Sequence, residues 1–147
     1  MQCRLSLLLL LCLAVSLPTA VLAHKEPVPA ELLQAKTVYI KSYSASDVRQ
    51  CSEELSKWGR FKIVADPKDA DVIFYIGSHT ASNGSYTRTG NVMTANSSLL
   101  ITVEVVQASS QKPLWSSTQS WSPFRRTPTK NIVKELRKRV EEQEKTQ

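Results

Sequence analysis

The most continuously apolar stretch outside the amino terminus is residues 71–77, Asp-Val-Ile-Phe-Tyr-Ile-Gly. It is short, rich in β-branched and aromatic side chains, and bounded by turn-forming residues. A run of this kind is typical of a strand buried on both faces and therefore central in a sheet. We predict that the rest of the domain is arranged around this strand, as neighbouring strands or as covering helices.

The residues before this run predict a strand, a helix and a second strand. Residues 37–41 alternate between apolar and polar positions, as a half-buried strand does. Ser44 has the spacing of a helix N-cap, Gly59 supplies a left-handed stop, and residues 61–64 form the next strand. Since a helix connects them, the two strands should be parallel. The apolar stripe of this helix consists of Val48, Cys51, Leu55 and Trp58.

The residues after the central run predict a hairpin and a closing helix. Residues 99–106 and 114–121 alternate as two antiparallel strands, and Thr127-Pro128 is typical of the start of a helix. The acidic residues in 141–144 place negative charge at the unfavourable end of the helix dipole, so we expect fraying there. The apolar stripe of this last helix consists of Ile132, Val133, Leu136 and Val140.

Together these elements predict an α+β fold: a single mixed β-sheet of about five strands, β-α-β and then antiparallel hairpins, with two covering helices, the second C-terminal. Residues 37–147 form the single domain, and residues 24–36, with two prolines, are expected to be an extended lead-in. Residues 77–98 are almost wholly Ser, Thr, Asn and Gly. They predict either a polar ribbon that prolongs two strands, or a disordered segment.

The amino terminus has the layout of a secretory signal peptide over residues 1–23. One basic residue, Arg4, precedes an apolar run over residues 5–17, and a polar segment follows Ala23, where cleavage is expected. A transmembrane anchor is the alternative, but it usually needs about 20 apolar residues, and Pro18 ends the run early. We expect an exported chain, periplasmic or secreted, with no membrane span after cleavage.

The charge and the cysteine content limit the classes of partner and the disulfides that we expect for this chain. The chain carries 19 basic and 13 acidic residues, and loss of Arg4 with the leader leaves a net charge of +5. No basic run is interleaved with aromatic residues, so nucleic acid is not an expected partner, whereas an anionic envelope polymer or lipid surface is compatible. Two of the three cysteines lie in the leader, so Cys51 has no intramolecular partner for a disulfide.

Four short segments resemble a group of exported bacterial proteins. They are Gly-Arg-Phe-Lys-Ile-Val at 59–64, Asp-Pro at 66–67, Ala-Asp-Val-Ile at 70–73 and Pro-Leu-Trp-Ser at 113–116. The chain resembles small exported bacterial proteins of uncharacterised function. More remotely it is similar to the α+β domain of curli-secretion lipoproteins, penicillin-binding-protein activator lipoproteins and the amino-terminal domain of the Tol system's periplasmic protein.

The resemblance covers Lys36 to about Glu142 and implies an accessory or assembly factor rather than an enzyme. It departs from those lipoproteins at the leader, because Cys12 follows Leu11 rather than a small residue and does not form a lipid-acceptor site. Fold-level similarity transfers function poorly, so the implied role stays an expectation.

Few residues carry candidate chemistry. Cys51 with His79 is the one pair that fits a thiol nucleophile, but Cys51 lies on an apolar helix stripe, where cysteine behaves as a small hydrophobe. The aspartates at 66, 69 and 71 lack the spacing of a calcium loop and favour a turn. We expect no metal, no cofactor and no enzymatic activity; the alternative is a small secreted hydrolase or thiol enzyme that uses Cys51.

The sequence favours a binding surface instead. Trp115 and Trp121 lie on one face of one predicted strand, and burial statistics favour a core position for Trp115 and a more exposed one for Trp121. The expected partner is a protein or polymer of the cell envelope or secreted space. The candidate contact residues are Tyr86, Arg88, Trp121, Phe124, Arg125 and Arg126.

Overall fold

The computed structural model describes residues 27–89, 92–122 and 127–146, without the side chains of residues 83–89 and 92–96. The predicted leader therefore lies outside the described residues. None of the described helices is long and apolar enough to cross a membrane. In chain order the elements are α1 (Ala30–Gln34), β1 (Thr37–Ser42), α2 (Ala45–Trp58), β2 (Lys62–Ile63), a 3₁₀ turn (Pro67–Asp69), β3 (Val72–Thr89), β4 (Val92–Gln107), β5 (Pro113–Ser120) and α3 (Pro128–Glu144).

The five strands form one mixed sheet in the order β2-β1-β3-β4-β5. β1 is parallel to both β2 and β3, and the crossover through α2 accounts for its parallel relation to β2, whereas β4 is antiparallel to both of its neighbours, β3 and β5. The predicted α+β fold is confirmed. β3 is the middle strand of the sheet, as the apolar run at 71–77 indicated.

The hydrophobic core lies between the helices and one face of the sheet. Val72, Phe74 and Ile76 of β3 are almost completely buried there. Ile73 points to the opposite face because side chains alternate along a strand, and it is also buried, at 5% exposure. The remaining large buried residues of the core include Leu32, Val38, Cys51, Leu55, Val103, Val105, Ile132, Val133, Leu136 and Val140.

Local signals set the ends of α2. The Ser44 hydroxyl accepts a hydrogen bond from the backbone N–H of Asp47 at 3.3 Å, which satisfies one of the free donors of the first turn. Gly59 ends the helix with φ of +71°, a left-handed conformation that costs a residue with a Cβ about 1–2 kcal/mol. Both roles are the predicted ones.

The segment before β1 differs from the prediction. The extended lead-in proposed for residues 24–36 is wrong over Ala30–Gln34, which form α1. Proline precedes this helix rather than interrupting it, and the Pro29 carbonyl accepts hydrogen bonds from Leu32 and Leu33. Leu32 is fully buried, so contact with the core stabilises a helix too short to persist alone.

The carboxyl end of α3 is helical as far as Glu144, through the acidic residues at which we expect fraying. The Gln143 side-chain amide accepts a hydrogen bond from the Val28 N–H at 2.6 Å and donates one to the Val28 carbonyl at 3.0 Å. Arg60 forms an ion pair with Glu144 at 2.6 Å and donates to the Leu33 carbonyl. Gln143 and Glu144 thereby attach the end of α3 to Val28, just before α1, and to Arg60 in the α2–β2 loop, and these contacts oppose the unfavourable dipole.

Glu54 on α2 is a buried carboxylate that the helix pattern did not single out. It is 6% exposed and lies 3.3 Å from the ammonium of Lys57 and 3.2 Å from that of Lys130 on α3. Burial acts to raise the pKa of Glu54, but hydrogen bonds from Lys130 and Lys57 outweigh it and lower that pKa. The group therefore joins α2 to α3 in its charged form.

Candidate interaction surface

The most distinctive feature of the molecule is a two-stranded arm, which we define as residues 82–89 of β3 and 92–97 of β4. β1 pairs with β3 only as far as Ile76, and β5 pairs with β4 only as far as Leu100. The pairing of β3 with β4 continues beyond both points to Thr89 opposite Val92. The arm therefore extends roughly 25 Å past the rest of the sheet, at about 3.3 Å per residue.

The backbone of the arm corresponds to the ribbon interpretation of residues 77–98. Its register shifts once, between Ser82 and Tyr86, so three residues of β3 face a single residue of β4. Such a bulge bends a ribbon and increases its twist. The described ladder ends with Thr89 opposite Val92, and residues 90 and 91 lie outside the described part of the structure.

The structure places two of the predicted contact residues on this arm. Tyr86 lies opposite Ala95 and Arg88 opposite Met93, close to the tip. The side chains at these positions are outside the described part of the structure, and so are Phe124, Arg125 and Arg126 entirely.

Trp121 is the predicted contact residue whose side chain is described, and it lies at the root of the arm. Its N–H donates to the carbonyl of Leu99 at 2.7 Å, directly after the end of β5. The two neighbours are unusually open for large apolar residues, with 42% of Trp121 and 39% of Leu99 exposed. Trp115, six residues earlier, is buried at 9% exposure, so the two tryptophans differ as the sequence favoured.

Tyr43 is an exposed aromatic residue at the same end of the sheet that the sequence reasoning missed. It follows β1 and precedes the cap of α2, a position where an apolar side chain often packs on the first helical turn. The Tyr43 side chain is instead fully exposed. The exposure of Tyr43 is visible only in the structure, because the sequence pattern does not show whether this side chain packs on the first turn of α2.

The sheet face opposite the helices is lined by polar side chains and tyrosine. The Lys41 ammonium lies 5.2 Å from the centre of the Tyr75 ring, and the Tyr75 hydroxyl donates to Gln111 in the β4–β5 turn at 3.2 Å. The hydroxyls of Thr102 and Thr118 are 2.8 Å apart across β4 and β5. These polar side chains are engaged with one another, which makes them less distinctive candidates for binding than the arm.

An open groove of about 380 Å³ lies at the other end of the sheet, beside α1. Its carboxylates already have structural partners. Glu31 is paired with Lys112 at 2.9 Å, and Asp71 accepts the backbone N–H groups of Lys36 and Thr37 at 2.8 and 2.9 Å. These backbone donors lower the pKa of Asp71.

The aspartates that raised the calcium alternative fix the entry to β3. The Asp66 carboxylate accepts the N–H of Lys68 at 2.8 Å, which caps the 3₁₀ turn, and Asp71 holds the start of β1. In the part of the chain that is described, no three His, Cys, Asp or Glu side chains gather as metal ligands would. The turn interpretation accounts for the observed contacts.

Cys51 and His79 do not form a catalytic pair. Cys51 is completely buried under α2 in the core, whereas His79 is exposed on β3 with the parity of Ile73, which faces away from the helices. Burial, with a smaller contribution from Asp47, raises the pKa of Cys51 to about 12. Since the thiolate is the nucleophilic form, we expect this thiol to react slowly at neutral pH.

Comparison with known proteins gives remote similarity of fold and no family. No family model matches the chain, and no curated protein matches its sequence. A PelC dodecamer from Paraburkholderia phytofirmans is 12% identical with a TM-score of 0.47, over 78% of this chain and 95% of that one. A minor lipoprotein from Acinetobacter baumannii is 12% identical with a TM-score of 0.37, over 76% and 93%.

A PDZ domain protein from Parabacteroides distasonis is 11% identical with a TM-score of 0.41. The match covers 59% of this chain and 26% of that one, so this chain spans about a quarter of the length of that protein. At these scores the similarity does not identify the families that the sequence resembles, and no function follows from it.

Proposed function

We propose that this protein is an exported, non-catalytic accessory module that binds a protein or polymer of the cell envelope or secreted space through its two-stranded arm. The observation that carries the proposal is the extension of β3 and β4 past both neighbouring strands. A two-stranded hairpin is at best marginally stable alone in water, and the arm composition offers the core little apolar surface. A partner that pairs with it or covers it accounts for such an extension.

The form of the arm favours an extended partner. In the described part of the chain β1 and β5 end before the arm begins, so we infer that an extended partner can add a strand at residues 86–89 or 92–95 through backbone N–H and C=O groups. Tyr86 and Arg88 near the tip belong to residue types enriched at recognition surfaces. The exposed Trp121 and Leu99 at the root would then border the contact.

The binding proposal is tested by removing the arm cleanly. Ala81 and Ser98 are directly opposite one another, so residues 82–97 can be replaced with Asn-Gly, which forms a two-residue hairpin turn. The native chain and the shortened variant are compared in pull-downs from envelope extracts of the source cell, with circular dichroism as the fold control. We expect the folded variant to lose the partner.

Retention of the partner by a correctly folded variant would contradict the arm as the site. It would move the site to the region of Trp121, Phe124, Arg125 and Arg126. Trp121→Ala in the native background is the matched variant for that outcome, since it leaves the arm intact.

Export rests on the composition of residues 1–23. We expect the intact mass of the exported protein to correspond to a chain that starts at His24 with no acyl group. A retained leader or a lipid adduct would contradict this part of the proposal.

The thiol-enzyme alternative has a direct test at Cys51. Because burial raises the pKa of this thiol to about 12, we expect alkylation of the mature protein only in denaturant. Rapid labelling of the folded protein at neutral pH would favour the enzyme.

A further inference from the structure

In the described part of the chain, β5 forms an edge of the sheet without the usual protection. The opposite edge, β2, is only two residues long and contains Lys62. β5 is eight residues long and contains no charged residue, and its proline and its bulge both lie at the start, around Leu114. Proteins usually protect edge strands with charges, prolines or bulges along their length, because a free edge pairs with another chain.

The hydrogen-bonding pattern between β4 and β5 shows which backbone groups of β5 point away from the sheet. Trp121 donates to Leu99, and the register continues with Gln119 opposite Ile101. In an antiparallel ladder alternate residues are bonded to the neighbour, so the odd-numbered residues of 115–121 point toward β4. The outward residues are Ser116, Thr118 and Ser120, a set symmetric about Thr118.

We infer that a second copy of this chain pairs antiparallel with β5, on a two-fold axis at Thr118. This inference is independent of the proposed function. Thr118 then lies opposite Thr118 of the second copy, and Ser116 opposite Ser120. Each pair exchanges both of its N–H···O=C bonds, so all six outward backbone groups of each strand are satisfied at once.

The same register gives the exposed Trp121 a partner. It places Trp121 opposite Trp115 of the second copy, on the helix side of the sheet and in a pair without backbone hydrogen bonds. Side chains approach most closely in such pairs, and aromatic cross-strand pairs are among the more stabilising. Pairing with a second copy thus explains both the 42% exposure of Trp121 and the position of β5 at the edge of the sheet.

Charge does not oppose this self-pairing. The directly opposed residues of Ser116–Ser120 are Ser, Thr and Gln, which avoid the repulsion of like charges across strands. On α3, the neighbouring helix, Glu135 accepts from Ser117 at 3.1 Å and pairs with Arg139 at 3.1 Å, so this flank carries both signs. The result is a continuous ten-stranded sheet with the two arms at opposite ends, suited to connecting two partners.

Sedimentation and thiol cross-linking test the inference on the mature chain. We expect a concentration-dependent dimer, and rapid covalent dimerisation of Thr118→Cys on oxidation or with a short bifunctional thiol reagent, because paired Cα atoms lie about 5.5 Å apart. Ser120→Cys alone should cross-link poorly, whereas a mixture of Ser116→Cys with Ser120→Cys should cross-link well. Ser46→Cys, exposed on α2, controls for random collision, and the buried Cys51 contributes little background.

Thr118→Lys places two ammonium groups opposite one another on the two-fold axis. We expect this variant to have the melting temperature of the native chain, and to sediment as a monomer at concentrations where the native chain is a dimer. A native chain that stays monomeric at all concentrations would overturn the inference and leave this edge to a strand of another protein. A dimer that survives Thr118→Lys, or that cross-links equally through Ser46→Cys, would place the interface elsewhere and overturn it as well.

Discussion

β3 runs through two regions that differ in what holds the strand in place. Over Val72–Ile76 it lies between β1 and β4, and its side chains are buried on both faces except for the half-buried Tyr75. Over Ser82–Thr89 it pairs with β4 alone. The first region is fixed by burial of apolar surface, whereas the second depends on one ladder of backbone hydrogen bonds.

The comparison shows that strand formation and contribution to stability are separate properties. Burial of a large apolar side chain contributes about 1.5–3 kcal/mol, whereas a backbone hydrogen bond that replaces one to water contributes about 1 kcal/mol. The covered half of the sheet should therefore dominate the free energy of unfolding. We expect the fold to depend little on the arm, as the binding role that we propose for it requires.

The largest expected difference comes from the same substitution at a core site on α3, the helix that covers the sheet, and at a site on β4 beside the root of the arm. Leu136→Ala, at a fully buried site on α3, should lower the free energy of unfolding by about 2–5 kcal/mol, since it removes apolar contact and leaves a cavity. Leu99→Ala, 39% exposed at the root of the arm, should lower it by about 1 kcal/mol or less. Urea denaturation of both variants measures the two changes in the free energy of unfolding. Equal decreases would contradict the proposed difference between the covered half of the sheet and the arm.

A smaller effect, confined to the covered half, is expected at Glu54. Glu54→Gln should lower the free energy of unfolding by about 1–2 kcal/mol at pH 7, because it leaves Lys57 and Lys130 without their carboxylate. The folded state lowers the pKa of Glu54, so its charged form contributes above the ordinary value of 4.5 and the contribution is lost as the pH falls below it.

The difference between native and Glu54→Gln proteins should therefore shrink in acid, as measured by urea denaturation across pH. Glu104→Gln, at an exposed carboxylate on the open face of the sheet, is the matched control and should change stability by less than about 0.5 kcal/mol. A Glu54→Gln effect that is independent of pH would assign the stabilisation to packing rather than charge.

The smallest expected effect is that of removing the arm. Replacement of residues 82–97 by Asn-Gly should leave the melting temperature nearly unchanged, because loop length costs only about 0.6 kcal/mol for each doubling. Thermal melting followed by circular dichroism measures it. A drop comparable to that of Leu136→Ala would show that the arm supports the covered half after all.

The elements with local signals were predicted from the sequence. The cap at Ser44 and the stop at Gly59 set the ends of α2, the apolar run marked the centre of β3, and the stripe through Leu136 defined the buried face of α3. Such signals lie within a few residues of the structure that they determine. This is why periodicity and caps identified them, whereas the composition of residues 77–98 left both a polar ribbon and a disordered segment open.

The candidate surface was predicted less completely. The sequence favoured a buried Trp115 and a more exposed Trp121, and the structure shows this difference. Tyr43 and Glu54 were missed, because exposure of the one and burial of the other depend on what neighbouring elements leave open or cover. A helix pattern assigns Glu54 to the solvent side, and only the approach of Lys130 from α3 changes that.

The sequence by itself determined the order of the elements from β1 to α3, the parallel relation of β1 and β2, the antiparallel relation of β4 and β5, and the buried faces of α2 and α3, since these follow from local periodicity and chain connectivity. Only the tertiary structure decided that Ala30–Gln34 are helical, that α3 continues to Glu144 and that β5 lies at an edge of the sheet. Each rests on contacts or registers between distant parts of the chain, such as Val28 with Gln143. The free energy of such contacts overrides local preference, and no short window of sequence contains both partners.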